Sequence, residues 1–219
     1  MGEARRARYT GAVSFVDLPV AHGRLEALYW KVERPRAAAV VCHPHPLHGG
    51  TMHNHVTYRI AQTFRDNGVS CVRFNFRGVG RSTGVHDGGV GEIEDARAAL
   101  DWLAAQEPGV PLWLGGFSFG ARTALQLARR DPRVEKILAV GLAVDIFDLS
   151  FVTGLEQPTA FVHSDQDEYG KLENVRALLT KVPAKHALFV VPGADHLCNG
   201  RLDEFSVAAR QAFDWLVTA

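Results

Sequence analysis

Apolar residues recur along this chain in two alternating patterns. Short runs rich in Val, Ile, Leu and Phe, bounded by Gly, Pro or Asp, predict strands over residues 13–20, 24–32, 37–43, 70–76, 112–117, 136–144, 159–163 and 187–191. Between them, apolar positions at helical spacing predict helices over residues 52–67, 91–106, 119–130, 172–181 and 202–217. The first two strands read as a hairpin, after which strand and helix alternate. A run such as Ala38-Ala39-Val40-Val41-Cys42 has no polar face, which suits a strand covered on both sides. Such alternation implies right-handed βαβ crossovers and a mostly parallel sheet with helices on both faces. No repeat, low-complexity stretch or linker interrupts it, so one doubly wound α/β domain over residues 1–219 is expected. Sheets of this kind bind ligands beyond the C-terminal strand ends, so those loops are where chemistry is sought.

Composition narrows the setting. Lys and Arg total 24, Asp and Glu total 24, and the formal net charge is zero. That argues against a nucleic-acid partner, which calls for a basic face, and against charge-driven membrane association. Apolar runs are far shorter than the ~20 residues needed to span a bilayer. Residues 1–8 are charged and lead into no apolar segment, so no secretory leader is expected; Gly2 is followed by Arg6 where a myristoylation motif needs Ser or Thr. Cys42, Cys71 and Cys198 are odd in number and lack CxxC spacing, as expected for reduced, buried thiols in a cytoplasmic protein.

Four loops carry unusual residues. The strand ending Leu112-Trp113-Leu114 runs into Gly115-Gly116-Phe117-Ser118-Phe119-Gly120, and a helical pattern begins at once. This is G-x-S-x-G between strand and helix, where a sharp turn exposes the serine hydroxyl and the two glycines relieve crowding. Ser118 is the candidate nucleophile, and the N–H of Phe119 at the helix start is a candidate oxyanion donor. A serine needs a base, and the base needs a group that holds its tautomer. In chain order these should follow as acid, then histidine. His196 lies after the last strand and is the candidate base. His163 ends a strand and is expected to support loop packing, whereas His22, His86 and His186 read as surface residues. The loop after the seventh strand offers Asp165, Asp167 and Glu168; Asp167 is the choice for the acid and Asp165 its competitor.

The segment Cys42-His43-Pro44-His45-Pro46-Leu47-His48-Gly49-Gly50-Thr51 should supply the second oxyanion N–H. Pro44 and Pro46 have none, which leaves His45, Leu47 and the residues beyond. A zinc or iron site drawn from His43, His45, His48, His53 and His55 is the rival reading. No Cys or carboxylate stands at ligand spacing, so neither a metal nor any other cofactor is expected. Glu92, Glu94 and Asp95 open a helix, where negative charge suits the dipole, and Trp102, Trp113 and Trp215 read as packing residues.

These motifs together resemble the α/β-hydrolase superfamily. In that family the acid loop commonly reads H-G-x-x-D, which laid on His163-Ser164-Asp165-Gln166-Asp167 puts the acid at Asp167, with Ser164 in place of the usual Gly. Some members carry the acid one strand earlier, where Asp145 and Asp148 lie. The segment Arg77-Gly78-Val79-Gly80-Arg81-Ser82 matches the family's R-G-x-G-x-S; Arg77 there is expected to anchor nearby carbonyls. In dienelactone-hydrolase-like relatives the oxyanion donor stands two positions beyond the His that ends the strand, which selects His45. Residues 43–52 also resemble small bacterial hydrolases carrying HPHP-L-x-GG-T-M. The resemblance covers roughly residues 12–217 and implies an eight-stranded α/β-hydrolase fold. With only residues 145–158 between the sixth and seventh strands, no cap domain is expected. It further implies a serine hydrolase acting on small acyl esters, with thioesters or lactones as alternatives. A non-catalytic binding protein of the same fold would be expected to lack one of the three residues.

Overall fold

The computed structural model describes residues 13–219; residues 1–8, on which the leader and lipidation expectations rest, lie outside the described residues. β1 (Val13–Val20) and β2 (Gly23–Trp30) form an antiparallel hairpin, in register from Val13 opposite Trp30 to Val20 opposite Gly23. β3 (Ala37–Cys42), β4 (Val69–Phe74), β5 (Leu112–Phe117), β6 (Val134–Val140), β7 (Thr159–Ser164) and β8 (His186–Val191) complete one sheet. Its order is β1-β2-β4-β3-β5-β6-β7-β8. β2 runs antiparallel to β4, and every later neighbouring pair is parallel.

Among the described residues, five helices cover the two faces. α1 (His55–Asp66) and α5 (Leu202–Thr218) pack on one side, where Ile60, Phe64, Phe205, Ala209 and Phe213 meet Val41, Trp113 and Leu138 of the sheet. α2 (Gly91–Gln106), α3 (Phe119–Ala128) and α4 (Leu172–Leu179) pack on the other, around Leu100, Leu125, Val175 and Val40. In α5 the buried positions Phe205, Ala208, Ala209, Ala212, Phe213 and Leu216 follow the spacing of one helix face, which is why that segment folds as a helix against the sheet. Because β3 lies between β4 and β5, the connection through α1 moves one way across the sheet and that through α2 moves back. The loops leaving β3 and β5 part there and open a crevice at their C-terminal ends.

Element ends differ from expectation where side chains intervene. α1 starts at His55 rather than residue 52 because the Asn54 carboxamide oxygen accepts the N–H groups of Val56 and Thr57 and caps the helix there. β6 stops at Val140, although the apolar run continues. Leu142 and Ala143 are buried, but the N–H of Asp145 donates to the carbonyl of Tyr169 in the next loop instead of extending the sheet. Residues 145–158 contain a single 3-10 turn, Ser150–Gly154, and no cap. Cys42, Cys71 and Cys198 are free and buried. No helix among the described residues is long and apolar enough to cross a membrane.

Phe64 joins the two helices of one face to the sheet. Its ring lies 6.2 Å from that of Trp113 and 6.3 Å from that of Phe213, and it is fully buried. Phe64→Ala should therefore cost about 3–5 kcal/mol, read as a lowered urea midpoint with an unchanged m-value.

Candidate active site

Ser118 sits between β5 and α3 at φ 56° and ψ −116°, a backbone region that L-residues rarely occupy. Its surroundings impose this. The Ser118 N–H donates to the carbonyl of Val140, and its own carbonyl accepts from the N–H of Arg122, so the turn is pinned on both sides. A Cβ on Gly116 would lie 2.3 Å from the Gly120 carbonyl oxygen, and a Cβ on Gly120 would lie 2.3 Å from that of Cys42. The first turn of α3 thus rests directly on the end of β3, which only glycine permits.

The Ser118 hydroxyl oxygen is 3.0 Å from His196 Nε2, and His196 Nδ1 is 2.7 Å from Asp167 Oδ2. The second Asp167 oxygen accepts the N–H groups of Tyr169 and Gly170. With Nδ1–H directed at the carboxylate, Nε2 is left as the acceptor facing the hydroxyl. Phe117 and Tyr169 flank the imidazole, each with a ring centroid 4.9 Å away. The Glu168 carboxylate accepts the backbone N–H of His196 and holds its loop. His163 Nε2 donates to the Gly170 carbonyl and braces the acid loop from below. The competing carboxylates have other partners. Asp165 accepts the N–H of Gly193, Asp145 accepts from Lys171 and Asn174, and Asp148 accepts the N–H of Ser150.

His45 follows Pro44 in the loop after β3, and its ring lies 4.9 Å from that of Phe119. The N–H groups of His45 and Phe119 donate to no protein acceptor among the described residues. The loop is fastened to the end of β4 at several points. His43 Nδ1 donates to the Pro44 carbonyl, His43 Nε2 accepts the N–H of Phe76, and the Asn75 side-chain oxygen accepts the N–H of Met52. The Arg73 guanidinium donates to the Met52 carbonyl. Elsewhere His55 Nε2 donates to the Leu197 carbonyl, beside His196. Among the described residues, no three His, Cys, Asp or Glu side chains gather to hold a metal. Burial lowers the pKa of His43 to about 4 and depresses those of His45 and His163; for His45 the nearby imidazoles of His48 and His86 add to the effect.

Several residues differ from their expected roles. Arg77 anchors to the Asp95 carboxylate rather than to carbonyls, and Asp95 also lies 3.1 Å from His22. Glu92 is fully buried, accepts the N–H groups of Asp87 and Gly89, and lies 2.8 Å from His86 Nδ1. His86 is therefore not a free surface residue; its ring stands 5.2 Å from that of His45 and 5.8 Å from that of Phe119. Phe147, in the connection after β6, stacks 6.2 Å from His45. Glu168 was visible among three neighbouring carboxylates, but nothing local in sequence marks His86 or Phe147.

The family model described as Serine aminopeptidase, S33, matches residues 34–152, more than half of the chain. An uncharacterized protein of Rickettsia prowazekii (strain Madrid E) is 38% identical over 206 residues, covering 90% of this chain and 85% of that one. Two solved structures are also similar. A serine hydrolase without a lid from Xanthomonas campestris is 31% identical with a TM-score of 0.85, over 93% of this chain and 95% of that one. An α/β serine hydrolase homologue from Coxiella burnetii is 35% identical with a TM-score of 0.83, over 90% and 96%.

The brace at His43 has a consequence for stability. Folded, the imidazole stays neutral down to about pH 4, whereas the unfolded side chain takes up a proton near 6.5. Its contribution is fully present above about pH 6.5 and is lost as pH falls toward 4, a loss of about 3 kcal/mol. Urea midpoints measured from pH 7 to pH 4 should fall along this leg, and His43→Gln should flatten the slope whatever it does to the absolute midpoint. A slope equal to the wild type's would show that other groups set the acid limit.

Proposed function

This chain belongs to the α/β-hydrolase superfamily, and from that premise we propose that it is a carboxylesterase-like serine hydrolase cleaving small acyl esters through an acyl-enzyme. The observation carrying this reading is the continuous line from the Ser118 hydroxyl through His196 to Asp167, with separations of 3.0 and 2.7 Å. In the proposed reaction His196 Nε2 takes the hydroxyl proton while Ser118 Oγ attacks the acyl carbonyl. Asp167 holds Nδ1–H and offsets the imidazolium charge. The N–H groups of Phe119 and His45 receive the oxyanion, helped by the positive end of α3. The imidazolium then protonates the leaving alcohol as the C–O bond breaks. Water, deprotonated by the same nitrogen, hydrolyses the acyl-enzyme and restores Ser118.

The absence of a cap supports a small substrate. Only residues 141–158 join β6 to β7, so water and substrate reach the crevice without a closing step. Esters lead because their leaving groups demand least of an open site; thioesters and lactones would follow the same chemistry. The proposed partner is a small acyl compound in the cytoplasm, with no nucleic acid and no membrane.

Hydrolysis of p-nitrophenyl acetate, butyrate and octanoate measures this directly. Ser118→Ala should lower kcat by at least about 10³-fold, and Asp167→Asn by about 10²–10⁴-fold. Asp165→Asn should change the rate by less than about 3-fold, since its carboxylate only ties two loops. Equal rates for wild type and Ser118→Ala would overturn the serine mechanism. Inactivation by a serine-directed phosphonate, with insensitivity to chelators, would separate it from metal hydrolysis.

A further inference from the structure

Four rings form a wall beside Ser118, with Phe119 buried at its centre and His45, His86 and Phe147 partly exposed around it. Phe119 and His45 stand 4.9 Å apart, Phe119 and Phe147 6.1 Å, and Phe119 and His86 5.8 Å. Arg122 stands at the Phe147 end of this wall. It lies one helical turn from Ser118 along α3, about 6 Å by the rise of an α-helix. Its guanidinium carbon is 5.7 Å from the Phe147 ring centroid. A Cβ on Gly89 would fall 2.8 Å from Arg122 Nη1 and 3.5 Å from the Phe119 ring, so guanidinium and ring both abut Gly89.

This arginine is not paired as comparable ones are. Arg77 is held by Asp95, Arg133 by Asp131 and Asp101, and Arg73 by the Met52 carbonyl. The Arg122 Nε is buried without an acceptor, and among the described residues its side chain makes no ion pair or hydrogen bond. Asp148 acts on it only at a distance and spends its carboxylate on the N–H of Ser150. A half-buried guanidinium loses hydration, and without a hydrogen-bonded anion in the fold that loss is only partly offset, by the field of Asp148 and the face of the Phe147 ring. The group is planar, permanently charged and shaped to accept a carboxylate in two parallel hydrogen bonds.

We propose that Arg122 is a specificity-determining residue that receives a carboxylate at the far end of a short acyl chain, so that the preferred substrates are half-esters of dicarboxylic acids. The acyl methylenes would lie along the partly exposed His45 and Phe147 rings, with the scissile carbonyl at Ser118. This rests on the hydrolase reading above, and the test separates the two.

The experiment compares mono-4-nitrophenyl glutarate with 4-nitrophenyl pentanoate, two esters of the same acyl length that differ in terminal charge. Wild type should favour the glutarate ester by at least about tenfold in kcat/KM, chiefly through KM. Arg122→Met should lower that ratio by about 10–100-fold, and Arg122→Lys should retain part of it. A merely structural role would depress both esters together and leave the ratio as it was, which would overturn the proposal, as would a wild type that prefers the uncharged ester. Glutarate binding to Ser118→Ala, followed by calorimetry with and without Arg122→Met, needs no turnover. If neither ester is cleaved, the hydrolase reading fails, while glutarate affinity still decides the role of Arg122: tenfold weaker binding upholds it and equal binding overturns it.

Discussion

The site depends on a contact between two stretches of backbone. Where α3 leaves β5, its first turn lies so close to the end of β3 that a methyl on Gly120 would collide with the Cys42 carbonyl. That approach brings the helix N-terminus and the loop carrying His45 to the same crevice. It also forces Ser118 into its rare backbone conformation, because the chain must turn from strand to helix within one residue. The strain is offset by the buried packing of both elements, with Leu114, Ala121, Ala124 and Leu125 all inaccessible to solvent.

Around that contact, short polar braces place the remaining groups. The His43 imidazole spends both nitrogens on backbone partners, so it serves as a rigid neutral strut between β3 and β4. Asp167 receives two N–H groups on the oxygen that His196 does not use, which fixes the carboxylate's orientation. Glu168 and His55 hold the loop of His196 from two sides. Burial pushes the thiols of Cys42 and Cys71 upward, so neither sulfur competes as a nucleophile.

Ser118, Asp167 and His196 were legible in sequence because each follows a strand whose apolar run is unmistakable, and because the elbow's glycines are read from local geometry alone. The alternation of patterns likewise predicted the parallel sheet and the opening hairpin. Less was legible where meaning arises from distant partners. Glu92 and Asp95 look like ordinary acids at a helix start, yet one is buried beneath His86 and the other receives Arg77. Phe147 lies in a connection with no periodicity and acquires a role only by stacking near His45, more than a hundred positions away. Arg122 resembles any polar residue on an amphipathic helix until the lack of a hydrogen-bonded acceptor is seen. The end of β6 is not legible because buried apolar residues outside a ladder, such as Leu142 and Ala143, look in sequence the same as those within one.

The connection between β6 and β7 has a meaning for engineering. It leaves the sheet beside the crevice, returns after one 3-10 turn, and bears Asp148 and Ile146 on its outer side. Both of its anchors, Val140 and Thr159, belong to strands already paired with each other. Additional chain spliced between them would meet a closure entropy that grows only as the logarithm of its length. Access to the crevice is thus a separate module from the crevice itself, and this scaffold offers a place to install a gate without altering the line of hydrogen bonds from Ser118 through His196 to Asp167 beneath it.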